Sequence, residues 1–259
     1  MGHVEGGPVT VNIIGDALRV AWADLRHLRR NILTVMLSLL VMPLLYLFTF
    51  TFGIGSVVGK IEGVTYAAFV IPGVVALSTV TSCFSNTASK ILGQRLFHTS
   101  FDMISLCPIS TPAIVLGKST AGFVRGMLGA AVLLTLGWAI APELRITPML
   151  IASVAVSCLA FAFLGVTAGM LARAITDLSV FNSLVIMPMT FLCGTMFSVS
   201  AYPAVAQAAI QALPLTHSTA CIRAAALGWA FPWASFLVTV VYALVFFAVA
   251  YYMIVRSWD

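Results

Sequence analysis

Six apolar stretches, separated by short breaks, constrain what this chain can fold into more than any motif it contains. They run over about 32–52, 66–89, 119–140, 149–171, 180–199 and 233–255, and each reaches the roughly 20 residues that a helix needs to cross a hydrocarbon core of ~30 Å. Hydrocarbon cannot bond an exposed N–H or C=O, so each run must close its backbone hydrogen bonds internally, as an α-helix does. With 61% hydrophobic and 8% charged residues over 259 positions, a water-soluble globular domain is excluded. The expectation is an all-α polytopic membrane protein, residues 1–259 forming a single transmembrane domain. The opening residues are mixed and polar, without the basic start, short apolar run and small-residue site of a cleaved signal, so the first apolar run is expected to remain in place.

Ahead of that run, Val11, Ile14, Leu18, Trp22 and Leu25 recur at helical spacing, with Asn12, Asp16, Arg19, Arg26 and Arg30 on the other side. This predicts an interfacial amphipathic helix over 11–30. Arg26, His27, Arg29 and Arg30 abut the first span, and arginines are held by anionic cytoplasmic lipid during insertion. The N-terminus is therefore expected inside, and an even number of spans returns the C-terminus to the same side. Ten lysines and arginines then fall inside, against Lys60, Arg145 and Arg223 outside, which is the asymmetry of a multi-pass protein of a bacterial cytoplasmic (inner) membrane. No nucleic-acid partner is expected.

The longest polar interruption is Lys90 to Lys118, read as a cytoplasmic segment over 90–118 between spans two and three. Arg95, His98, Asp102 and Ser105 share one helical face there, and Leu96, Phe97, Phe101 and Ile104 line another. Pro108 and Pro112 are expected to end that helix. Such a helix either docks a soluble partner or simply rests on the membrane surface. Between spans five and six, residues 200–232 are apolar but broken by Pro203, Pro214, Gly228 and Pro232. Two short re-entrant helices in the outer leaflet fit this pattern, and a helical hairpin on the outer surface is the competing reading.

Chemistry is sparse. Gly117-Lys118-Ser119-Thr120 imitates the end of a phosphate loop, but the glycine required five residues earlier is Pro112 and no strand precedes it. The five cysteines, Cys83, Cys107, Cys158, Cys193 and Cys221, form no C-x-x-C pair, so no metal site is expected, and among them Cys193 and Cys221 are placed to meet on the outer side. Asp102, Asp177, Glu62 and Glu143 all fall in loops, which argues against a proton- or sodium-coupled carrier with an intramembrane carboxylate. No catalytic cluster is readable. Arg125 lies within the third span, either meeting an anionic head group or snorkelling to the inner surface. Tyr46, Phe48, Phe50, Phe191 and Phe197 are candidates to line a path for an amphipathic substrate, and His217 and Arg223 are candidate gate residues in the outer segment. Gly122-x-x-x-Gly126 and Gly165-x-x-x-Gly169 are expected to let helices approach closely.

Four stretches together resemble the membrane subunits of type-2 ATP-binding-cassette exporters. They are Met42-Pro43-Leu44-Leu45-Tyr46 with Phe52-Gly53-Ile54-Gly55; Tyr66-Ala67-Ala68-Phe69-Val70-Ile71-Pro72-Gly73; Gln94-Arg95 through Asp102 to Cys107-Pro108-Ile109-Ser110 and Leu116-Gly117-Lys118; and Pro188 to Phe197 with Tyr202-Pro203 and Leu213 to Ser218. Within the family, Pro214-Leu215-Thr216-His217-Ser218 with Arg223 and Leu227-Gly228 resembles the permeases that export nodulation lipo-oligosaccharides. The resemblance implies export of a glycolipid, lipid-linked or other amphipathic substrate, with drug or antibiotic efflux as the alternative. It also implies a second permease copy and contact with membrane lipid. A separate soluble ATPase would bind ATP and magnesium, leaving no cofactor in this chain, and Arg95, His98, Asp102 and Ser105 would dock it. On this reading Asp102→Lys reverses a contact charge and uncouples hydrolysis from transport in an inserted protein; unchanged export by that variant would remove the docking assignment.

Overall fold

The computed structural model describes residues 13–55, 60–61, 63–97, 109–195 and 203–256. Of the candidate residues, His98, Asp102, Ser105 and Phe197 lie outside these. Six helices are long and apolar enough to cross a membrane, over Ile32–Gly53, Tyr66–Leu96, Thr111–Ile140, Pro148–Leu171, Ile175–Leu192 and Trp233–Arg256. They are preceded by an N-terminal helix, Ile13–Arg30. Two outer helices, Ala204–Gln211 and Pro214–Leu227, stand between spans five and six. A pair of two-residue strands, Lys60–Ile61 and Val64–Thr65, tightens the turn between spans one and two.

Local chemistry explains the element ends. Thr65 and Thr147 cap the second and fourth spans by accepting backbone N–H bonds from Ala68 and Leu150 at 3.4 and 3.2 Å. Asp177 accepts from the Arg173 and Ala174 amides at 2.8 and 3.2 Å, which starts the fifth span earlier than its apolar run begins. Gly194 and Gly228, both at φ +70°, end the fifth span and the second outer helix in the left-handed conformation.

The second span is the axis of the bundle: 89% of its apolar window is buried, against 67% for the fourth and about a fifth for the first, fifth and sixth. Both G-x-x-x-G pairs serve this axis. A Cβ on Gly122 would lie 2.1 Å from Thr87 Oγ1, and one on Gly165 would lie 2.9 Å from Thr87 Cβ, so the third and fourth spans close on the second at one residue. At its outer end Gly73 packs against backbone, since a Cβ there would meet the Thr195 carbonyl oxygen at 1.8 Å.

Several sequence-based boundaries move. The second span continues past Ser89 to Leu96 and the third begins at Thr111, so helices occupy both ends of the polar segment. Pro112 does not end a helix; it sits in the first turn of the third span, where its missing N–H has no helical partner to lose. Nor does Lys118 mark a membrane boundary, being 4% exposed within that helix. The outer helix Pro214–Leu227 buries Leu215, Cys221, Ile222 and Ala226 against neighbouring spans, which overturns the surface-hairpin alternative for this helix. Cys193 and Cys221 are free and buried rather than paired.

Gly73→Ala is expected to destabilise the folded chain by about 2 kcal/mol through forced separation from the Thr195 carbonyl. Gly129→Ala, where a Cβ meets nothing within 4 Å, should leave stability unchanged. Thermal unfolding of the two variants in detergent checks the contrast.

Candidate functional site: a groove between spans one, two and five

A groove of about 420 Å³ opens between the first, second and fifth spans. Leu39, Met42, Pro43 and Tyr46 line it from the first span, Leu77, Thr81, Ser82 and Asn86 from the second, and Asn182, Ile186, Met187, Thr190 and Phe191 from the fifth. Asn86 and Asn182 are the two asparagines of the spans, and both face this groove. Each of the three lining helices carries a π-helical stretch, at Thr49–Ile54, Thr81–Ser85 and Asn182–Ile186. The third, fourth and sixth spans are uninterrupted α-helix. A π turn accommodates an extra residue and is often found at functional sites; here two of the three supply groove-lining side chains.

The polar wall presents acceptors. Thr81 Oγ1 donates to the Leu77 carbonyl at 3.1 Å, Thr190 Oγ1 to Met187 at 2.7 Å, and Ser38 Oγ, also on the groove, to Val35 at 2.8 Å. Each hydroxyl hydrogen is thus taken by its own helix, while oxygen lone pairs remain. Asn86 Nδ2 donates to the Ser82 carbonyl at 2.7 Å, and its Oδ1 accepts from Arg125 Nη1. The opposite wall is apolar and aromatic, through Leu39, Met42, Pro43, Tyr46, Met187 and Phe191. One side suits hydroxyls and amides; the other suits hydrocarbon.

The sequence-derived candidates separate into distinct places. Tyr46 and Phe191 share the groove wall. Phe50 stands one helical turn beyond Tyr46, ring centroids 6.4 Å apart, and packs against the Tyr66, Phe69, Val70 and Val74 cluster. Arg125 is behind the wall, reaching across to Asn86. His217 is at the outer turn, its Nε2 2.8 Å from the Gln211 carbonyl, which requires that nitrogen to donate. Arg223, 8% exposed, donates to the carbonyls of Phe69, Gly194 and Thr195 at 3.3, 2.7 and 3.2 Å, with its guanidinium 3.8 Å from the Phe69 ring centre. It staples the second outer helix to the second span and to the turn after the fifth.

Arg95, expected to face a soluble partner, is turned into the bundle. Its Nη1 donates to the carbonyls of Gly169, Met170 and Ala172 at 3.1, 2.6 and 3.1 Å, the terminal acceptors of the fourth span. Sequence reasoning also missed Asn86, Asn182 and Asp24. An amide inside an apolar run was the available signal for the first two. Asp24 gave none, because it sits in a helix that is already rich in charge. In the structure it is 6% exposed and pairs with Lys90 at 2.9 Å.

Arg223→Met keeps the bulk of the side chain but strands three buried carbonyls, and is expected to lower stability by roughly 3 kcal/mol. Thermal unfolding measures this, and a shift no larger than that of an exposed Arg26→Met control would show that the staple carries no load.

Comparison with known proteins agrees with this architecture. The family model described as ABC-2 type transporter matches residues 18–227. The inner membrane transport permease YadH of Escherichia coli (strain K12) is 26% identical over 247 residues, covering 93% of each chain. Nodulation protein J of Rhizobium leguminosarum bv. trifolii is 31% identical over 214 residues, 81% of this chain and 78% of that protein. Its counterpart in Bradyrhizobium diazoefficiens is 32% identical over 199 residues, 75% of each chain. With the family match running from the N-terminal helix to the end of the second outer helix, and six apolar spans in place, this chain belongs to the ABC-2 type transporter family, as a membrane permease whose ATPase resides in a separate subunit.

Proposed function

We propose that this permease exports a glycolipid-like, lipid-linked or otherwise amphipathic substrate from the cytoplasmic side outward, along the groove between spans one, two and five. The observation that carries this reading is the division of the groove into an acceptor-rich wall and an apolar wall, which matches a molecule with a hydroxylated head and a hydrocarbon tail. The 31% identity to a nodulation protein supports the same substrate class. ATP and magnesium are bound by the partner ATPase, which docks at the cytoplasmic connection between spans two and three, His98, Asp102 and Ser105 included. Arg95 supports that connection from behind.

A second copy of this chain completes the path. Leu33, Leu37, Phe48 and Phe52 of the first span and Leu184, Met187 and Phe191 of the fifth are all more than half exposed, and these helices flank the open side of the groove. Covering that side with a second permease would enclose a substrate and shield its head group from lipid. The site of action is a bacterial cytoplasmic membrane, with both termini inside.

The test is hydrolysis by the purified permease–ATPase complex in lipid nanodiscs, titrated with glycolipids and with hydrophobic drugs. Stimulation by glycolipid, weakened about tenfold in apparent affinity by Asn182→Leu through the loss of a polar contact, is the expected result. Stimulation by drugs alone would make the chain a drug-efflux permease. Substrate movement in an ion gradient without nucleotide would replace the exporter reading with a secondary carrier.

A further inference from the structure

Within six residues at the cytoplasmic end of the second span, three polar side chains bond to three different helices. Lys90 Nζ lies 2.9 Å from Asp24 Oδ1 on the N-terminal helix. Gln94 Oε1 accepts from Lys118 Nζ of the third span at 2.7 Å. Arg95 holds the terminal carbonyls of the fourth span, as described above. Asp24 and Lys118 are 6% and 4% exposed, so neither bond is a solvated surface pair. The second oxygen of Asp24 is buried without a hydrogen-bond partner, which leaves Lys90 as the group that satisfies its charge. Removing one member of a buried pair strands the other in a low-dielectric interior.

The placement of these bonds is specific. The helix that holds Lys90, Gln94 and Arg95 runs directly into the 97–110 connection, and Lys118 lies two turns into the helix that leaves it. Both stems of the connection are therefore tied to each other and to the N-terminal helix. The first and fifth spans, which form the other two walls of the groove, have no share in this network. We propose that Lys90, Gln94 and Arg95 form a polar hub that moves the N-terminal helix, the third span and the fourth span together with the cytoplasmic connection, and that Asp24 is a positioning residue for coupling. This rests on the reading that the ATPase docks at that connection. Displacement of the hub carries Thr81, Ser82 and Asn86 with it, and so shifts one wall of the groove against the other two.

The experiment uses the full permease–ATPase complex in nanodiscs with a Met42→Cys reporter on the groove wall and Cys107→Ser to remove the native thiol of the connection. Maleimide labelling of the reporter is compared without nucleotide and in the ADP–vanadate-trapped state. With the hub intact, trapping should change the labelling rate at least about fivefold, the lower range of allosteric coupling. Asp24→Asn should abolish that change while ATP hydrolysis continues, and the exchanged pair Asp24→Lys with Lys90→Asp should restore it. A purely structural role would lower thermal stability without separating hydrolysis from the reporter. If Asp24→Asn does not assemble, Lys118→Met tests the same hub from the third span. A wild-type reporter response in either assembled variant overturns the proposal. Failure of the unsubstituted complex to hold an ATPase, or to respond to nucleotide, overturns the functional reading beneath it.

Discussion

Hydrocarbon offers no partner to a polar group, and the structure depends on how each such group finds one inside the protein. The apolar spans meet this demand with backbone bonds along their own axes. The exceptions are short: the stapled turn at Cys193–Thr195, the left-handed cap at Gly228, and the outer loop whose Arg145 amide and Thr147 hydroxyl bond the carbonyls of Ala226 and Ala225 at 2.8 and 3.2 Å. Arg223 and Arg95 do the same work at opposite ends of the bundle. Each places a guanidinium over carbonyls that have no helical donor, and each thereby joins elements far apart in sequence.

This constraint also decides what could be read without coordinates. Six helices, the breaks at Pro203, Pro214 and Gly228, and the packing role of the glycine pairs were all legible, because length, hydropathy and missing side chains act locally. Polar residues near the cytoplasmic face were harder. Lys90, Gln94, Arg95 and Lys118 look alike in sequence whether water or a neighbouring helix satisfies them, so they were taken to mark a solvated segment. In the structure they are the bonds that tie four helices together. Asp24 illustrates the same point from the other side. Counting its helix as one apolar and one charged face overlooked a third, through Val20, Ala21 and Asp24, that packs on the third span at Gly117.

The groove was legible only in part. Aromatic residues suggested a path, and Tyr46 and Phe191 do line it, but its polar wall comes from threonines, a serine and two asparagines scattered over three helices. No short-range pattern joins Thr81, Asn86, Asn182 and Thr190; only the packing of the second span against the fifth does. Their hydroxyls can be tolerated in an apolar run because each donates to its own helix. That local satisfaction hides them from a reading based on charge, and it leaves an uncharged acceptor surface that neither repels nor traps a neutral head group.

The π-helical stretch at Thr81–Ser85 has a consequence for how the second span tolerates change in length. A π turn holds one residue more than the α-helix it interrupts, and each residue of an α-helix advances the side-chain direction by about 100°. The stretch therefore sets the rotational phase of everything that follows it. Loss of a single residue there would leave a regular, apolar helix of almost the same length, yet would turn Lys90, Gln94 and Arg95 away from the N-terminal helix and the third and fourth spans. The identity of the hub is written in three side chains, but its aim is written a dozen residues upstream, in a count.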